Sequence, residues 1–260
     1  MTRLNPSIAL CVALATSGAA QATLYDRGGG LIYDDALNVT WLQDANYAKT
    51  SGYDVDGLMN WNQATTWAAN LSYHDNVRNV TYDDWRLPFI VDTSTIGCNL
   101  ANSGTDCGFN VQTLSGTTVY SEMAFMYYVN LGLKAFKDTN GTVQYDSGIF
   151  GNGTWNGTDD SSYGQNDVGL IHNLQAFAYL SSTERALDPA NPISIGAWNF
   201  GMNDGFQDTN YKYLDYYAWA VRDGDVAAIP EPETYTLLLA GLGLLGVMMR
   251  CKKQAAVAAI

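Results

Sequence analysis

Residues 60–71 read Asn-Trp-Asn-Gln-Ala-Thr-Thr-Trp-Ala-Ala-Asn-Leu, and this stretch carries a helical pattern. Its apolar residues recur at the three- and four-residue spacing that places side chains on one face of a helix: Trp61, Ala64, Ala68 and Leu71. Asn60 is suited to cap the first turn, because its side chain can accept a backbone N–H. The stretch therefore predicts an amphipathic helix over 60–71.

Outward from this helix, the sequence predicts one more helix and several strands. Residues 121–133 repeat apolar side chains at helical spacing, and the stripe is typical of core packing. Residues 24–33 and 39–42 predict a hairpin, with the three glycines at 28–30 as a turn or bulge. Apolar and aromatic runs bounded by polar turns predict strands within 176–181, 193–200 and 216–222. Two helices with many strands predict an α+β fold.

The first 22 residues predict a secretory signal peptide. Arg3 precedes an apolar stretch from Ile8 to Ala15, and the segment closes on Ala20-Gln21-Ala22, an A-x-A-type cleavage site. Signal peptidase is therefore an expected partner, and the mature chain is expected to begin at Thr23. This leaves one extracytoplasmic domain over 23–226, followed by a tail over 227–260.

The tail combines Pro230-Glu231-Pro232, an apolar run from 235 to 249, and a basic cluster formed by Arg250, Lys252 and Lys253. Fifteen residues make about 22 Å of helix, which is short for a bilayer core about 30 Å thick. Positive charge after the run favours a cytoplasmic end, so the domain would lie outside. The two prolines keep the preceding segment extended and accessible to a protease.

These three parts resemble the PEP-CTERM sorting signal, in which the proline and glutamate motif corresponds to Pro230, Glu231 and Pro232. The resemblance implies an exosortase that removes the tail during surface sorting, often alongside exopolysaccharide production. It also implies transient membrane association through the C-terminal helix before processing, and a final location at the cell surface or in the extracellular matrix. A plain single-span transmembrane anchor is the competing interpretation.

The predicted domain is strongly acidic. Residues 23–229 contain 9 Lys and Arg against 24 Asp and Glu, a formal net charge of −15. Such a field repels nucleic acid and anionic lipid, which argues against nucleic-acid partners. Hydrophobic residues at 47% are sufficient for a buried core, so disorder throughout is not expected.

The domain contains two cysteines, Cys98 and Cys107. An even pair in an exported domain favours a disulfide that closes a short loop, since oxidising compartments preserve such bonds. Metal binding by two cysteines would need further ligands, and the whole chain offers only His74 and His172.

Several short motifs across the domain are similar to the Lcl C-terminal domain family of bacterial surface proteins and adhesins. They lie at 34–44 around Trp41, at 61–64, at Asp84-Trp85-Arg86-Leu87-Pro88, at 179–183, at 197–200 and at 217–222. The resemblance implies a fold related to C-type lectin-like and formylglycine-generating-enzyme-like domains, which is a twisted antiparallel sheet with two helices and long loops. Within it, Trp85, Arg86, Leu87 and Pro88 are expected to form a buried structural motif in which Arg86 bonds carbonyl oxygens.

Two polar, glycine-rich segments, 151–166 and 199–215, are candidate ligand-binding loops. Aromatic rings in such loops can stack on sugar faces while amides and carboxylates bond hydroxyl groups. The alternative is that these aromatics fill the base of long loops. The candidate ligand-binding residues are Trp155, Tyr163, Asn203, Asp204, Asp208 and Tyr211. Asn203, Asp204 and Asp208 are also candidate Ca²⁺ ligands through oxygen, although their spacing does not match an EF-hand loop; no other cofactor is expected.

Catalytic patterns are weak, because neither His74 nor His172 lies in a recognisable nucleophile or metal motif. The sequence therefore favours a non-enzymatic, lectin-like surface or matrix protein that binds exopolysaccharide or another surface ligand. An extracellular enzyme on a formylglycine-generating-enzyme-like scaffold is the alternative.

Overall fold

The computed structural model describes residues 23–93, 100–148, 165–186 and 195–226. These residues form short helices and many short strands, which confirms the predicted α+β class. The helices are α1 (Tyr47–Thr50), α2 (Trp61–Ala69), α3 (Glu122–Phe125) and a π-helix over Met126–Asn130. The strands are β1 (Leu24–Asp26), β2 (Leu31–Asp34), β3 (Val39–Leu42), β4 (Leu58–Met59), β5 (Tyr73–Asp75), β6 (Val80–Tyr82), β7 (Leu114–Ser115), β8 (Thr118–Val119), β9 (Gln165–Val168), β10 (Ile171–Gln175), β11 (Ala178–Glu184), β12 (Gly196–Gly201), β13 (Gln207–Tyr211), β14 (Tyr216–Tyr217) and β15 (Val221–Asp223).

The first sheet is four-stranded and antiparallel, in the order β1-β2-β3-β15. The predicted hairpin is present within it, and β1 and β2 are joined by the glycine turn at 28–30. All three glycines have positive φ, between 64° and 76°, a conformation that glycine adopts with little strain. The last strand, β15, closes the sheet beside β3, so residues close to both ends of the described chain lie together.

The second large sheet is five-stranded, in the order β13-β12-β11-β14-β4. Its pairs are antiparallel except for β11 and β14, which are parallel at Tyr179 and Tyr217. Three further two-stranded sheets, β5-β6, β7-β8 and β9-β10, lie among the described residues. The expected single antiparallel sheet is therefore replaced by two larger sheets, one of them mixed. The predicted strand over 216–222 is divided between β14 and β15, one in each sheet.

The helix over 60–71 is confirmed, with slightly shorter bounds. Asn60 Oδ1 accepts the N–H of Gln63, and Gln63 Oε1 accepts the N–H of Asn60, each at 3.0 Å. This reciprocal capping box satisfies two donors that the first turn leaves free. Ala64, Trp67 and Ala68 form its buried face.

The second predicted helix begins as expected but changes type. Ser121 caps it, with its Oγ accepting the N–H of Ala124 at 3.1 Å. After Phe125 the segment continues as a π-helix, so the predicted span 121–133 is only partly α-helical. Its apolar residues Met123, Met126 and Tyr127 are fully buried, and the fourth residue of the stripe, Leu131, is half-buried against the core. The assignment of this stripe to the core is confirmed.

The core lies where the two larger sheets meet. Trp41 of β3 and Trp219, which precedes β15, are fully buried with ring centroids 4.7 Å apart. The ring centroid of Trp219 also lies 6.2 Å from that of Tyr179 in the second sheet. The Nε1 of Trp219 donates a hydrogen bond to Leu42 O at 2.7 Å. Aromatic contacts of this kind join the two sheets.

The motif at 84–88 is buried at its apolar residues, whereas Asp84 is exposed and Arg86 is half-buried. Trp85, Leu87 and Pro88 are buried, and Arg86 donates to Leu87 O at 3.2 Å, so one carbonyl contact is present. The main partners differ from the expectation, because Arg86 binds the carboxylates of Glu122 and Asp223. A half-buried guanidinium is more strongly stabilised by carboxylates than by neutral carbonyls, and the sequence did not reveal these distant partners.

Some predictions fall outside the described residues. Cys107 is fully buried, but Cys98 lies outside the described residues and the disulfide stays a prediction. The signal peptide and the tail with its apolar run also lie outside them. Within the described ranges, no helix has both the length and the apolar character needed to cross a bilayer.

Candidate functional site

A cavity of about 360 Å³ opens on the five-stranded sheet, and we call it the Asn199 cavity. Strands β11 to β14 and the turn between β12 and β13 line it. Its polar wall is formed by Asn199, Asn203, Asp204, Asp208 and Asn210, and its aromatic wall by Phe177, Phe206 and Tyr216. The combination of amides, carboxylates and ring faces is suited to a polyhydroxylated ligand.

Strand register explains why these polar side chains meet. Asn199 of β12 lies directly opposite Asp208 of β13, and the next position on the same face brings Asn210 opposite Ala197. Because side chains two residues apart point to one face of a strand, Asn199, Asp208 and Asn210 share one side of the sheet. The intervening residues Trp198 and Phe200 are buried on the other side.

Asn199 is the most informative residue of the cavity. It is only 4% exposed, and its Nδ2 has no hydrogen-bond partner among the residues that the structure describes. An unsatisfied buried donor costs about 1–3 kcal/mol, and five buried side-chain atoms of the described residues lack a partner. Asn199 Nδ2 is the one of these five that belongs to a residue lining this cavity. A hydroxyl oxygen of a ligand would remove this cost.

Gly201 lets the turn after β12 fold closely over the cavity. A Cβ at this position would lie 2.5 Å from Asp204 Oδ1 and 2.8 Å from Asn203 Oδ1. Both side-chain oxygens therefore converge on the bare backbone of Gly201. Asp204 Oδ1 also accepts the N–H of Phe206 at 2.9 Å, which orients the carboxylate.

Asp208 is the half-buried carboxylate of the cavity. Burial raises its pKa above the ordinary value, while the N–H of Thr209 at 2.6 Å and the charge of Arg185 oppose the rise. The carboxylate is thus partly desolvated and can form a strong hydrogen bond to a ligand hydroxyl.

The structure brings together three of the predicted ligand residues and separates one. Asn203, Asp204 and Asp208 all line the cavity, whereas Tyr211 does not. Tyr211 is 53% exposed and stacks on Tyr213, with ring centroids 5.3 Å apart and ring planes 13° apart. Trp155 and Tyr163 lie outside the described residues.

The three predicted Ca²⁺ ligands, Asn203, Asp204 and Asp208, line the same cavity but do not form a carboxylate cluster. Within the described ranges, no group of three or more His, Cys, Asp or Glu residues is arranged to hold a metal ion. Amide oxygens from Asn203 and Asn199 would have to supply the remaining ligands, so Ca²⁺ binding stays a prediction.

Sequence reasoning missed half of this cavity. The sequence places Asn199 in a strand motif and at the start of the candidate loop 199–215, which includes Asn210, but does not mark either residue as a ligand residue. Phe177 and Tyr216 lie outside both candidate loops. One signal in the sequence could have identified Asn199, because it lies between two aromatic residues, Trp198 and Phe200, in a predicted strand. A polar side chain at such a position must face a hydrogen-bond partner or a cavity.

In the comparison with known proteins, a family model matches the tail, and no match covers the domain. Residues 228–253 match the family described as the PEP-CTERM protein-sorting motif. This motif supports export and exosortase-dependent sorting to the surface, with exosortase as the processing partner. No curated protein and no solved structure matches the chain.

Proposed function

We propose that this protein is a non-enzymatic, lectin-like surface or matrix protein whose domain binds exopolysaccharide through the Asn199 cavity. Exosortase-dependent sorting delivers the domain to the compartment in which exopolysaccharide is found. The C-type lectin-like character suggested by the sequence motifs is part of this proposal.

The unpartnered amide of Asn199 is the observation that carries the proposal. A cavity that leaves a buried donor unsatisfied is less stable than one lined by an apolar residue of the same size. Such a cost is typical of a binding site, where the ligand supplies the missing partner. Phe177, Phe206 and Tyr216 add ring faces on which a sugar can stack.

A binding role also fits the positions of the two histidines. His74 lies in the β5-β6 hairpin with its Nδ1 3.0 Å from Thr81 Oγ1, and His172 lies in β10 with its Nδ1 3.2 Å from Asp167 Oδ1. Neither residue lines the Asn199 cavity. An acid or base for catalysis would have to come from Asp204 or Asp208.

The proposal is tested on a glycan array with the purified protein, with and without Ca²⁺, using the variant Asn199→Leu. Leucine has the same branched shape as asparagine but a larger side chain, for which the cavity beside position 199 leaves room. Because the change also removes the unsatisfied donor, we expect the free energy of unfolding to stay within about 1 kcal/mol of the wild type or to rise. We expect binding of glycans without a free amine to be lost. The control Asn62→Ala lies on the exposed face of α2 and should keep binding.

Two outcomes would overturn the proposal. One is an absence of glycan binding by the wild-type protein in both conditions. The other is glycan binding by Asn199→Leu that equals that of the wild type, because the ligand would then not depend on this amide.

A further inference from the structure

A second cavity, of about 330 Å³, lies beside the four-stranded sheet, and we call it the Asp44 cavity. It is formed where the segment after β3 meets α1, β5 and β10. Its functional side chains are Asp44, Tyr47, Tyr73, His172 and Asn173. None of these residues lines the Asn199 cavity, so the two sites are distinct.

The glycine turn at 28–30 builds one wall. Tyr73 Oη donates to the carbonyl oxygen of Gly29 at 2.7 Å, and a Cβ at Gly30 would lie 2.3 Å from the same Oη. Any other residue at position 30 would therefore displace the phenol. Tyr47 packs edge-on against Tyr73, with ring centroids 5.3 Å apart, so two aromatic rings hold fixed positions.

A bulge in β10 builds the opposite wall. The register shifts between Ile171 and Leu174, and Asn173 has a φ of 56°, in the left-handed region that asparagine tolerates. His172 N donates to Gln43 O at 2.8 Å, and Ala45 N donates to His172 O at 2.9 Å. These two bonds attach the bulge to the segment that carries Asp44.

Asp44 supplies a negative charge that no cation neutralises within the described residues. Its Oδ1 accepts the N–H of Asn46 at 2.9 Å and its Oδ2 accepts the hydroxyl of Thr50 at 2.5 Å, which orients the carboxylate. None of the ion pairs formed among the described residues includes Asp44, whereas the imidazole of His172 lies against Asp167. The pKa of Tyr47 is raised mainly by burial and, to a smaller extent, by the negative charge of Asp44.

A carboxylate beside two tyrosine rings is the arrangement that proteins use for ammonium groups. The ring faces attract a cation through their quadrupole, and the carboxylate adds a charge-assisted hydrogen bond. Asn173 and Gln43 also line the cavity, and their amide side chains can bond hydroxyl groups, although Gln43 Nε2 already donates to Leu170 O at 3.0 Å.

We propose that the Asp44 cavity binds an amino sugar, with the protonated amine against Asp44 and the sugar ring beside Tyr47 and Tyr73. This goes beyond the proposed function, because it concerns a different cavity and requires a positively charged ligand. It gives the acidic domain a means of distinguishing amine-bearing sugars from N-acetylated or neutral ones.

Isothermal titration of the purified protein with glucosamine and with N-acetylglucosamine, at about pH 6 where alkyl amines are protonated, tests this proposal. We expect glucosamine to bind and N-acetylglucosamine, which lacks the charge, to bind at least about tenfold more weakly. In Asp44→Asn, glucosamine affinity should fall by about tenfold or more. Asp83→Asn removes the same charge from an exposed position outside the cavity and should leave affinity unchanged.

Amide chemical shifts of the wild-type protein give a second readout that does not depend on any variant. Glucosamine should shift the amides of residues 43–47 and 171–173 and leave those of 199–210 in place. The proposal is overturned if glucosamine does not bind, if the two sugars bind equally, if Asp44→Asn keeps wild-type affinity, or if the shifts fall on 199–210. A negative glycan array caused by a failed Asn199 cavity would leave these shifts unaffected, so the two proposals fail separately.

Discussion

Arg86 and Glu122 form a two-point ion pair between segments 36 residues apart, with Nη1–Oε2 and Nη2–Oε1 distances of 2.7 and 2.8 Å. Glu122 is almost fully buried, and its Oε2 also accepts the N–H of Phe89 at 2.8 Å. Burial alone would lower the pKa of Arg86, but the carboxylates of Glu122 and Asp223 raise it, so the guanidinium stays charged. The pair fixes the 84–88 motif against the start of α3.

Replacing Glu122 by glutamine should destabilise the protein by roughly 2–3 kcal/mol, because it leaves the guanidinium without its main buried partner. Urea unfolding measures the change. The control is Glu184→Gln, which breaks the ion pair of Lys212 with an exposed carboxylate and should cost less than about 1 kcal/mol. Equal losses in the two variants would contradict the role assigned to Glu122.

Gly30 and Gly52 share a φ of 76° but differ in their surroundings. A Cβ at Gly30 would meet Tyr73 Oη at 2.3 Å, whereas nothing lies within 4 Å of a Cβ at Gly52. Both alanine variants should lose about 1 kcal/mol of stability, because alanine is strained at positive φ. Gly30→Ala should lose roughly a further 1 kcal/mol or more, because its Cβ would clash with Tyr73. Thermal unfolding of the two variants compares them, and a similar melting temperature for both would exclude tight packing of Tyr73 on this turn.

The capping box of α2 should contribute measurably to stability. Asn60→Ala removes the side-chain acceptor of the Gln63 N–H and should cost about 1 kcal/mol. Asn62→Ala, on the exposed face of the same helix, should be neutral or slightly stabilising because alanine is the better helix former. The measurement is the denaturant midpoint of each variant. Equal shifts of the midpoint in the two variants would contradict a stabilising role for the Asn60 cap.

Sequence reasoning identified features that depend on near neighbours. The cap at Asn60 and the glycine turn follow from spacings of a few residues. The predicted face of α2 is correct at Ala64 and Ala68, but it omits the buried Trp67 and includes Trp61 and Leu71, which are half-buried. The partners of Arg86 and the pairing of Asn199 with Asp208 depend on how distant segments meet, and a pattern within one segment cannot report them. Tyr211 illustrates the same limit, because a one-residue step along β13 separates the cavity-lining Asn210 from a tyrosine outside the cavity.

The buried pair of Asp75 and Arg78 predicts a defined dependence on pH. Burial alone would raise the pKa of Asp75, but its bonds to the Arg78 guanidinium and to the N–H groups of Val77 and Arg78 lower it below 3.8. A carboxylate with a depressed folded-state pKa contributes stability that is present above its unfolded pKa and is lost as pH falls through the folded value. The stability difference between the wild type and Asp75→Asn should therefore be constant near neutral pH and shrink below about pH 4. Urea unfolding of both proteins over a pH series measures this difference. A difference that grew as the pH fell would contradict a lowered pKa of Asp75.

Mass spectrometry of the protein recovered from the surface and cytosolic fractions of its producing cells tests the central claim most directly, namely that sorting carries this domain to the exterior. The account predicts a surface form that begins at Thr23 and lacks the basic cluster of Arg250, Lys252 and Lys253. An intact chain that begins at Met1, retains that cluster and is confined to the cytosol would contradict it.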